Sequence, residues 1–423
     1  MRPSPSRFLG HGGAATSDTL DTSDGAAVDA DGDGAVAADD CDDADPAVSP
    51  GANDICQDSV DQDCDGVERA CEDRRLKDAD AMLFGDAGWG VASGHVAVVG
   101  SRVVAVGSSD QGGAVLVSGA VPRGTDVFGM RMEGPERFGG VATMGDEEVL
   151  LAGNPMRVVS IDAESTDEAR LWYEDVSGGG GSRPQAGQMV EGEATDLVFS
   201  ADGARQIVNG DQQGAVSVAD GTVTGEDTSL ETFVVGDGDG DGFDELVLVG
   251  NYYSTAYIFE GPITGVRALE DADLSYPSSY FYATWVGDLD GDGRADLGGC
   301  TDSFRVFSLV GRVEAFADFP ASWCGRGVGD VNADGYGDLL AFNDDDSAGG
   351  ARLGLHRGPF AGAVEEETGQ LFSDGADADV DLWVKSGDLD ADGLSDFVLG
   401  LFAPNSSYVR GDRAWLLFYG SDL

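Results

Sequence analysis

The chain has 423 residues, 79 of them Asp or Glu and 24 Lys or Arg, for a formal net charge of −55. Such a surface repels nucleic acid and anionic membranes, which both call for clustered Lys and Arg. Hydrophobic residues still make up 41% of the chain in short runs, which excludes disorder throughout; an excess of carboxylate in a folding chain then points to cation binding.

Residues 1–27 are expected to be a disordered tail, and Met1–Leu20 shows no apolar stretch of a secretory signal. Residues 28–75 are rich in Asp and contain Cys41, Cys56, Cys64 and Cys71, with almost no large apolar side chain. Such a segment cannot build a hydrophobic core, so disulfides, ions or disorder must account for it. Its four cysteines allow three pairings. The spacing of Asp29, Asp31, Asp33 and Asp40, then Cys41, Asp42, Asp43 and Asp45, then Cys56, Asp61, Asp63, Cys64, Asp65 and Gly66 resembles the Asp/Cys-rich metal-binding motif of bacterial surface proteins. That motif is itself similar to thrombospondin type 3 calcium repeats. The resemblance implies Asp29, Asp31, Asp33 and Asp40 as candidate ligands.

From residue 81 to 423 the pattern becomes short β-type runs separated by Gly, Asp and Ser turns. Weak repeats at His95–Gly119, Arg137–Ile161 and Thr195–Gly221 each read as three runs joined by tight turns. Four stronger copies follow at Phe233–Gly250, Trp285–Cys300, Gly327–Phe342 and Val384–Gly400. Seven units of about 49 residues match four-stranded propeller blades of about 40–50 residues. The expectation is an all-β, seven-bladed β-propeller, with Leu171–Ser182 and Glu365–Asp379 as outer strands or long loops. No run approaches the ~20 apolar residues of a membrane span.

Each strong copy carries an acidic loop. Position 1 is Asp237, Asp288, Asp330 or Asp388; position 3 is Asp239, Asp290, Asn332 or Asp390; position 5 is Asp241, Asp292, Asp334 or Asp392, always followed by Gly. Position 9 is Glu245, Asp296, Asp338 or Asp396. Positions 1, 3 and 5 offer side-chain oxygens, the Gly allows a sharp turn, and a carboxylate at position 9 can close the shell. The carbonyls of Phe243, Arg294, Tyr336 and Leu394 at position 7 are candidate ligands too. An all-oxygen, flexible shell suits Ca2+ rather than Mg2+, zinc or copper. An EF-hand would need Glu at position 12 and a following helix; here Leu248, Gly299, Ala341 or Leu399 stands there and strand-like sequence follows.

These loops resemble the FG-GAP repeats of the integrin α-subunit propeller, with the D-x-D-x-D-G-x-x-D signature between the first two strands of a blade. The FG and GAP dipeptides are eroded, Phe84-Gly85 and Phe138-Gly139 looking like remnants. The resemblance implies structural Ca2+, about four ions in the propeller and more if the N-terminal segment binds, on the face opposite the one that recognises ligand.

The three histidines, His11, His95 and His356, lie near no recognisable nucleophile or zinc motif. The expectation is a non-enzymatic protein. Tyr252, Tyr253, Tyr276, Tyr280, Tyr282, Trp323 and Tyr408 would line the opposite face, where aromatics with polar neighbours suit an unknown protein or glycan ligand. For Trp323, as for Trp285 and Trp383, packing between blades is the favoured reading. Cys300 and Cys324 read either as an inter-blade disulfide or as two buried thiols. The chain is expected to be a monomer at the cell surface or outside the cell, where free calcium suits such sites. The alternatives are a propeller-scaffold polysaccharide lyase or hydrolase and a purely structural envelope component.

Overall fold

The computed structural model describes parts of residues 30–67, residue 76 and residues 79–423 except for connecting segments, the longest being 174–184, 344–351, 373–383 and 403–412. By its contacts the chain divides into two units, residues 1–54 with 61–67, and residues 55–60 with 68–423. The expected tail at 1–27 lies outside the described residues.

The second unit is a seven-bladed β-propeller, with seven sheets of four or five strands. Blade 1 takes Gly90–Val99, Arg102–Ser109, Gly112–Val117 and Met130–Gly134; blade 2 takes Gly140–Met144, Glu148–Ala152, Met156–Ser160 and Leu171–Tyr173. Blade 3 takes Gln185–Gly187, Asp196–Ala201, Ala204–Val208 and Gly221–Thr224; blade 4 takes Glu231–Val235, Glu245–Val249, Thr255–Phe259 and Leu274–Pro277. Blade 5 takes Tyr282–Gly287, Asp296–Cys300, Ser303–Ser308 and Glu314–Ala321; blade 6 takes Trp323–Gly329, Asp338–Asn343, Arg352–His356 and Gln370–Phe372. Blade 7 takes Val384–Gly387, Asp396–Phe402 and Arg413–Phe418 from the end of the chain, and its fourth strand, Ala81–Phe84, from near the start. That strand pairs antiparallel to the last one, Leu83 opposite Trp415, and the Tyr419 amide donates to Asp80 Oδ2 at 2.9 Å. The ring therefore closes by joining the two ends of the propeller sequence.

The second strands read as continuous apolar runs because both faces of a blade are covered by neighbours. In blade 4, Leu246 and Leu248 pack toward blade 3, while Val247 and Val249 pack toward blade 5. In blade 7, Phe397 and Leu399 join the blade 6 side and Val398 the blade 1 side. Among the described residues the core falls into seven apolar clusters, one at each blade interface. Alternation is present along each strand, but between two buried faces rather than between core and solvent.

Two details differ from the sequence expectation. In Thr195–Gly221 the first two runs are the second and third strands of blade 3, the first strand lying upstream at Gln185–Gly187. The third run, Gly214–Val216, is lent in parallel to the outer strand of blade 2. Similar parallel additions, Gly265–Ala268 on blade 3 and Gly362–Ala363 on blade 5, join neighbouring blades at their outer edges and cover those edges. Leu171–Tyr173 and Gln370–Phe372 are outer strands as expected.

Candidate metal centres

The four acidic loops each connect the first and second strands of a blade, in blades 4, 5, 6 and 7. Their backbone conformation repeats. Position 4 is left-handed in every copy (Gly240, Gly291, Ala333 and Ala391, φ 82, 79, 56 and 63°), and so is the position 6 glycine (φ 94, 84, 86 and 90°). Glycine is required at position 6 because no other residue holds so positive a φ without strain. The two left-handed residues curl the loop around its own carboxylates. Position 1 accepts the position 5 amide on one oxygen, at 3.1, 3.1, 3.2 and 3.1 Å, and the position 6 amide on the other, at 2.9, 2.7, 2.9 and 3.1 Å. Position 5 in turn accepts the position 7 amide at 2.9 to 3.0 Å.

Position 9 opens the second strand and points back under the loop. Glu245, Asp296, Asp338 and Asp396 are at most 1% exposed. Each accepts the position 2 amide, at 2.7, 2.8, 2.8 and 2.6 Å. The second oxygen of Asp338 takes the Gly358 amide, and that of Asp396 takes the Gly420 amide, both at 2.9 Å. Glu245 is one methylene longer, and its buried Oε1 has no hydrogen-bond partner. A bare carboxylate oxygen in the interior is costly unless something positive approaches it.

Positions 1, 3 and 9 bring one oxygen each to within 4.8 Å of one another in three loops: Asp237, Asp239 and Glu245; Asp288, Asp290 and Asp296; Asp388, Asp390 and Asp396. The position 5 carboxylates Asp241, Asp292 and Asp392 are exposed and fall outside these groups. In blade 6, Asn332 replaces the position 3 carboxylate and donates to Asp334 Oδ2 at 3.1 Å. Burial, with neighbouring carboxylates adding to it, pushes Glu245 and Asp296 up to about 8, and Asp338 and Asp396 up to about 7. Backbone amides pull the other way without cancelling it. In the three loops where carboxylates converge, an oxygen-only group over a buried position 9 carboxyl fits a hard cation, which would offset the charge the group concentrates.

A fifth loop with this spacing and the same buried position 9 anchor, but with no left-handed residue at position 4, lies in blade 3. Gln188 stands at position 1 and Asp196 at position 9. Asp196 is fully buried, accepts the Met189 amide at 2.7 Å and takes the Gly210 amide on its other oxygen at 3.1 Å. Where the acidic loops gather carboxylates, Gln188 Nε2 donates to the carbonyls of Val190 and Gly192, at 2.9 and 3.3 Å, and Asn209 Nδ2 to that of Glu191 at 2.8 Å. Neutral amide donors thus bond the carbonyls of this loop. The nine-residue spacing from Gln188 to Asp196 was the signal that could have found it.

In the first unit, Asp61, Asp63 and Asp65 form another oxygen group within 4.8 Å. The bonding matches the propeller loops: Asp61 accepts the Asp65 and Gly66 amides at 3.1 and 2.7 Å, and Asp65 accepts the Val67 amide at 2.8 Å. Cys64 at position 4 and Gly66 at position 6 are again left-handed, φ 58 and 85°. Cys64 is bonded to Cys41, which selects one of the pairings left open. Asp40 lies with these two sulfurs rather than with the three aspartates; disulfide sulfurs offer no thiolate to a metal. Asp29, Asp31 and Asp33 lie outside the described residues.

The aromatic candidates fare differently. Trp323 is 2% exposed and packs edge-on to His356 between blades 5 and 6, so it is withdrawn from any ligand face. Tyr276 packs on Phe307 at 4.7 Å, between blades 4 and 5. Tyr282 begins a strand of blade 5. Tyr252, Tyr253, Tyr280 and Tyr408, and the side chain of Tyr282, lie outside the described residues. Cys300 and Cys324 form the inter-blade disulfide, Cα atoms 5.3 Å apart, joining blades 5 and 6.

A family described as "Putative metal-binding motif", Cu-binding MopE, matches residues 40–68. No curated protein matches the sequence significantly. Among solved structures, the chain is similar to BBS1N in complex with ARL6DN, at 8% identity over 78% of this chain and 97% of that one, TM-score 0.47. It is similar to the C-terminal WD40 domain of Sif2, at 11% identity over 76% and 81%, TM-score 0.44. The WD40 domain of Toxoplasma gondii coronin matches at 9% identity over 82% and 75%, TM-score 0.38. None of these scores reaches 0.5, and the seven-bladed assignment rests on the strand pairing described above.

Proposed function

We propose that this protein is a calcium-binding propeller that works outside the cytosol, where structural Ca2+ in blades 4 to 7 stiffens a non-enzymatic scaffold for binding a protein or glycan. The observation that carries the reading is the buried position 9 carboxylate beneath each acidic loop, above all Glu245, whose interior oxygen has no partner. The ligands would be the carboxylates at positions 1, 3 and 9, with Asn332 in blade 6 and the Asp61 loop as a further site. Although the family matched at residues 40–68 is named for copper, Asp61, Asp63 and Asp65 present only carboxylate oxygen, which favours a hard ion. The disulfides Cys41–Cys64 and Cys300–Cys324 support an oxidising compartment.

Elemental analysis of the purified chain is expected to find Ca2+ at four or five per molecule, and chelation is expected to lower the melting temperature by mass action. A melting temperature indifferent to EDTA, with no Ca2+ retained, would refute structural calcium.

A further inference from the structure

The loops are tied to one another around the ring. The position 8 amide of each loop donates to the position 1 carbonyl of the loop in the preceding blade: Asp244 to Gln188 at 2.7 Å, Ala295 to Asp237 at 3.0 Å, Gly337 to Asp288 at 2.6 Å and Ser395 to Asp330 at 2.7 Å. Side chains follow the same route. A Cβ on Gly240 would lie 3.3 Å from the Arg294 guanidinium, and one on Gly291 only 2.2 Å from the Tyr336 ring. In both cases the position 7 side chain of one loop covers position 4 of the loop before it. Position 2 is held as well, the Met189 carbonyl by the Ile263 amide at 2.7 Å and the Leu289 carbonyl by the Phe360 amide at 3.0 Å.

These contacts join the parts that an ion would order. Position 1 carries both a cluster carboxylate and the carbonyl that receives the neighbour. Position 8 directly precedes the buried carboxylate of position 9. An ion that fixes position 9 in one blade therefore fixes the amide that holds position 1 in the preceding blade. We propose that the acidic loops of blades 4 to 7 take up divalent cations cooperatively, as one array that ends on the ion-independent loop of blade 3. The proposal rests on the reading that these loops bind divalent cations. In blade 3, Gln188 and Asn209 already order the loop, and its position 1 amide donates to Asp244 Oδ2 at 2.8 Å, so the array has one preformed end. Coupling of this kind is reciprocal: each site raises its neighbour's affinity by the factor it receives.

Calorimetric titration of the chelated full-length chain with Ca2+ tests this. The wild type is expected to fill more steeply than independent sites would, with a Hill coefficient above 1. Ser395→Pro deletes the amide that joins blade 7 to blade 6 and leaves every carboxylate in place. Asp388→Asn removes a ligand of blade 7 alone. In Asp388→Asn the stoichiometry is expected to fall by one and the Ca2+ concentration that half-fills the remaining sites to rise about five-fold. Ser395→Pro should keep the full stoichiometry and lose steepness; if it does not fold, Asp388→Asn decides alone. Remaining sites that fill at an unchanged concentration would overturn the coupling while leaving calcium binding intact. No uptake by the wild type would overturn both readings.

Discussion

Each position 9 carboxylate is buried among other carboxylates, and that placement has a pH signature. Glu245 rises from 4.5 to about 8 on folding, mainly through burial. Between those values the metal-free native state holds a proton that the unfolded chain has released, so its stability falls as pH rises through that window. The chelated protein is expected to lose melting temperature from pH 5 to pH 8, while the Ca2+-saturated protein stays nearly level. Glu245→Gln, which cannot ionise, should flatten part of the chelated slope; identical slopes in variant and wild type would count against a buried, metal-free Glu245. The identity of position 9 was legible from its fixed spacing after D-x-[DN]-x-D-G. Its burial was not, because burial comes from the strand it opens and from the blades on either side.

At the scale of the loop, one place in the blade, between its first and second strands and anchored by a buried position 9 carboxylate, serves two ways of balancing charge. Blades 4 to 7 gather carboxylates, whereas blade 3 gathers carbonyls around the Gln188 amide. Gln188→Ala leaves those acceptors without their donor, and is expected to cost about 1 kcal/mol. That loss, measured by urea unfolding, should be the same with Ca2+ or with EDTA. The loss from Asp237→Asn should shrink when the chelator removes the ion. A Gln188→Ala penalty that vanished under chelation would place an ion in blade 3 after all. Composition hid this loop, since a search for carboxylates passes over a sequence whose donors are amides. For Trp323 the sequence left both a ligand face and a blade interface open, and the structure selects the interface, where the ring meets His356 and the neighbouring core.

Across the whole propeller, stability depends on a closed ring of interfaces. Leu83, on the strand that completes blade 7, is 1% exposed and packs with Val103, Leu116 and Leu417 in the cluster between blades 7 and 1. Leu83→Ala is expected to cost about 2–5 kcal/mol. Urea unfolding followed by tryptophan fluorescence would show it as an earlier midpoint at unchanged slope if the ring melts as one unit. A change in slope would mean that blade 7 opens separately.

The sequence alone determined the repeat, the strand-to-strand position of the acidic loops and the oxygen-only chemistry they offer, because each is set by residue type and short spacing. It also limited the N-terminal segment to disulfides, ions or disorder. Only the tertiary structure decided that Ala81–Phe84 closes blade 7, that Cys41 pairs with Cys64 and Cys300 with Cys324, and that Gly214–Val216 belongs to the edge of blade 2. It alone showed that the loops touch one another around the ring. Those facts join residues far apart in the chain, and no local pattern of residue types encodes which distant partner satisfies a strand edge, a thiol or a loop carbonyl.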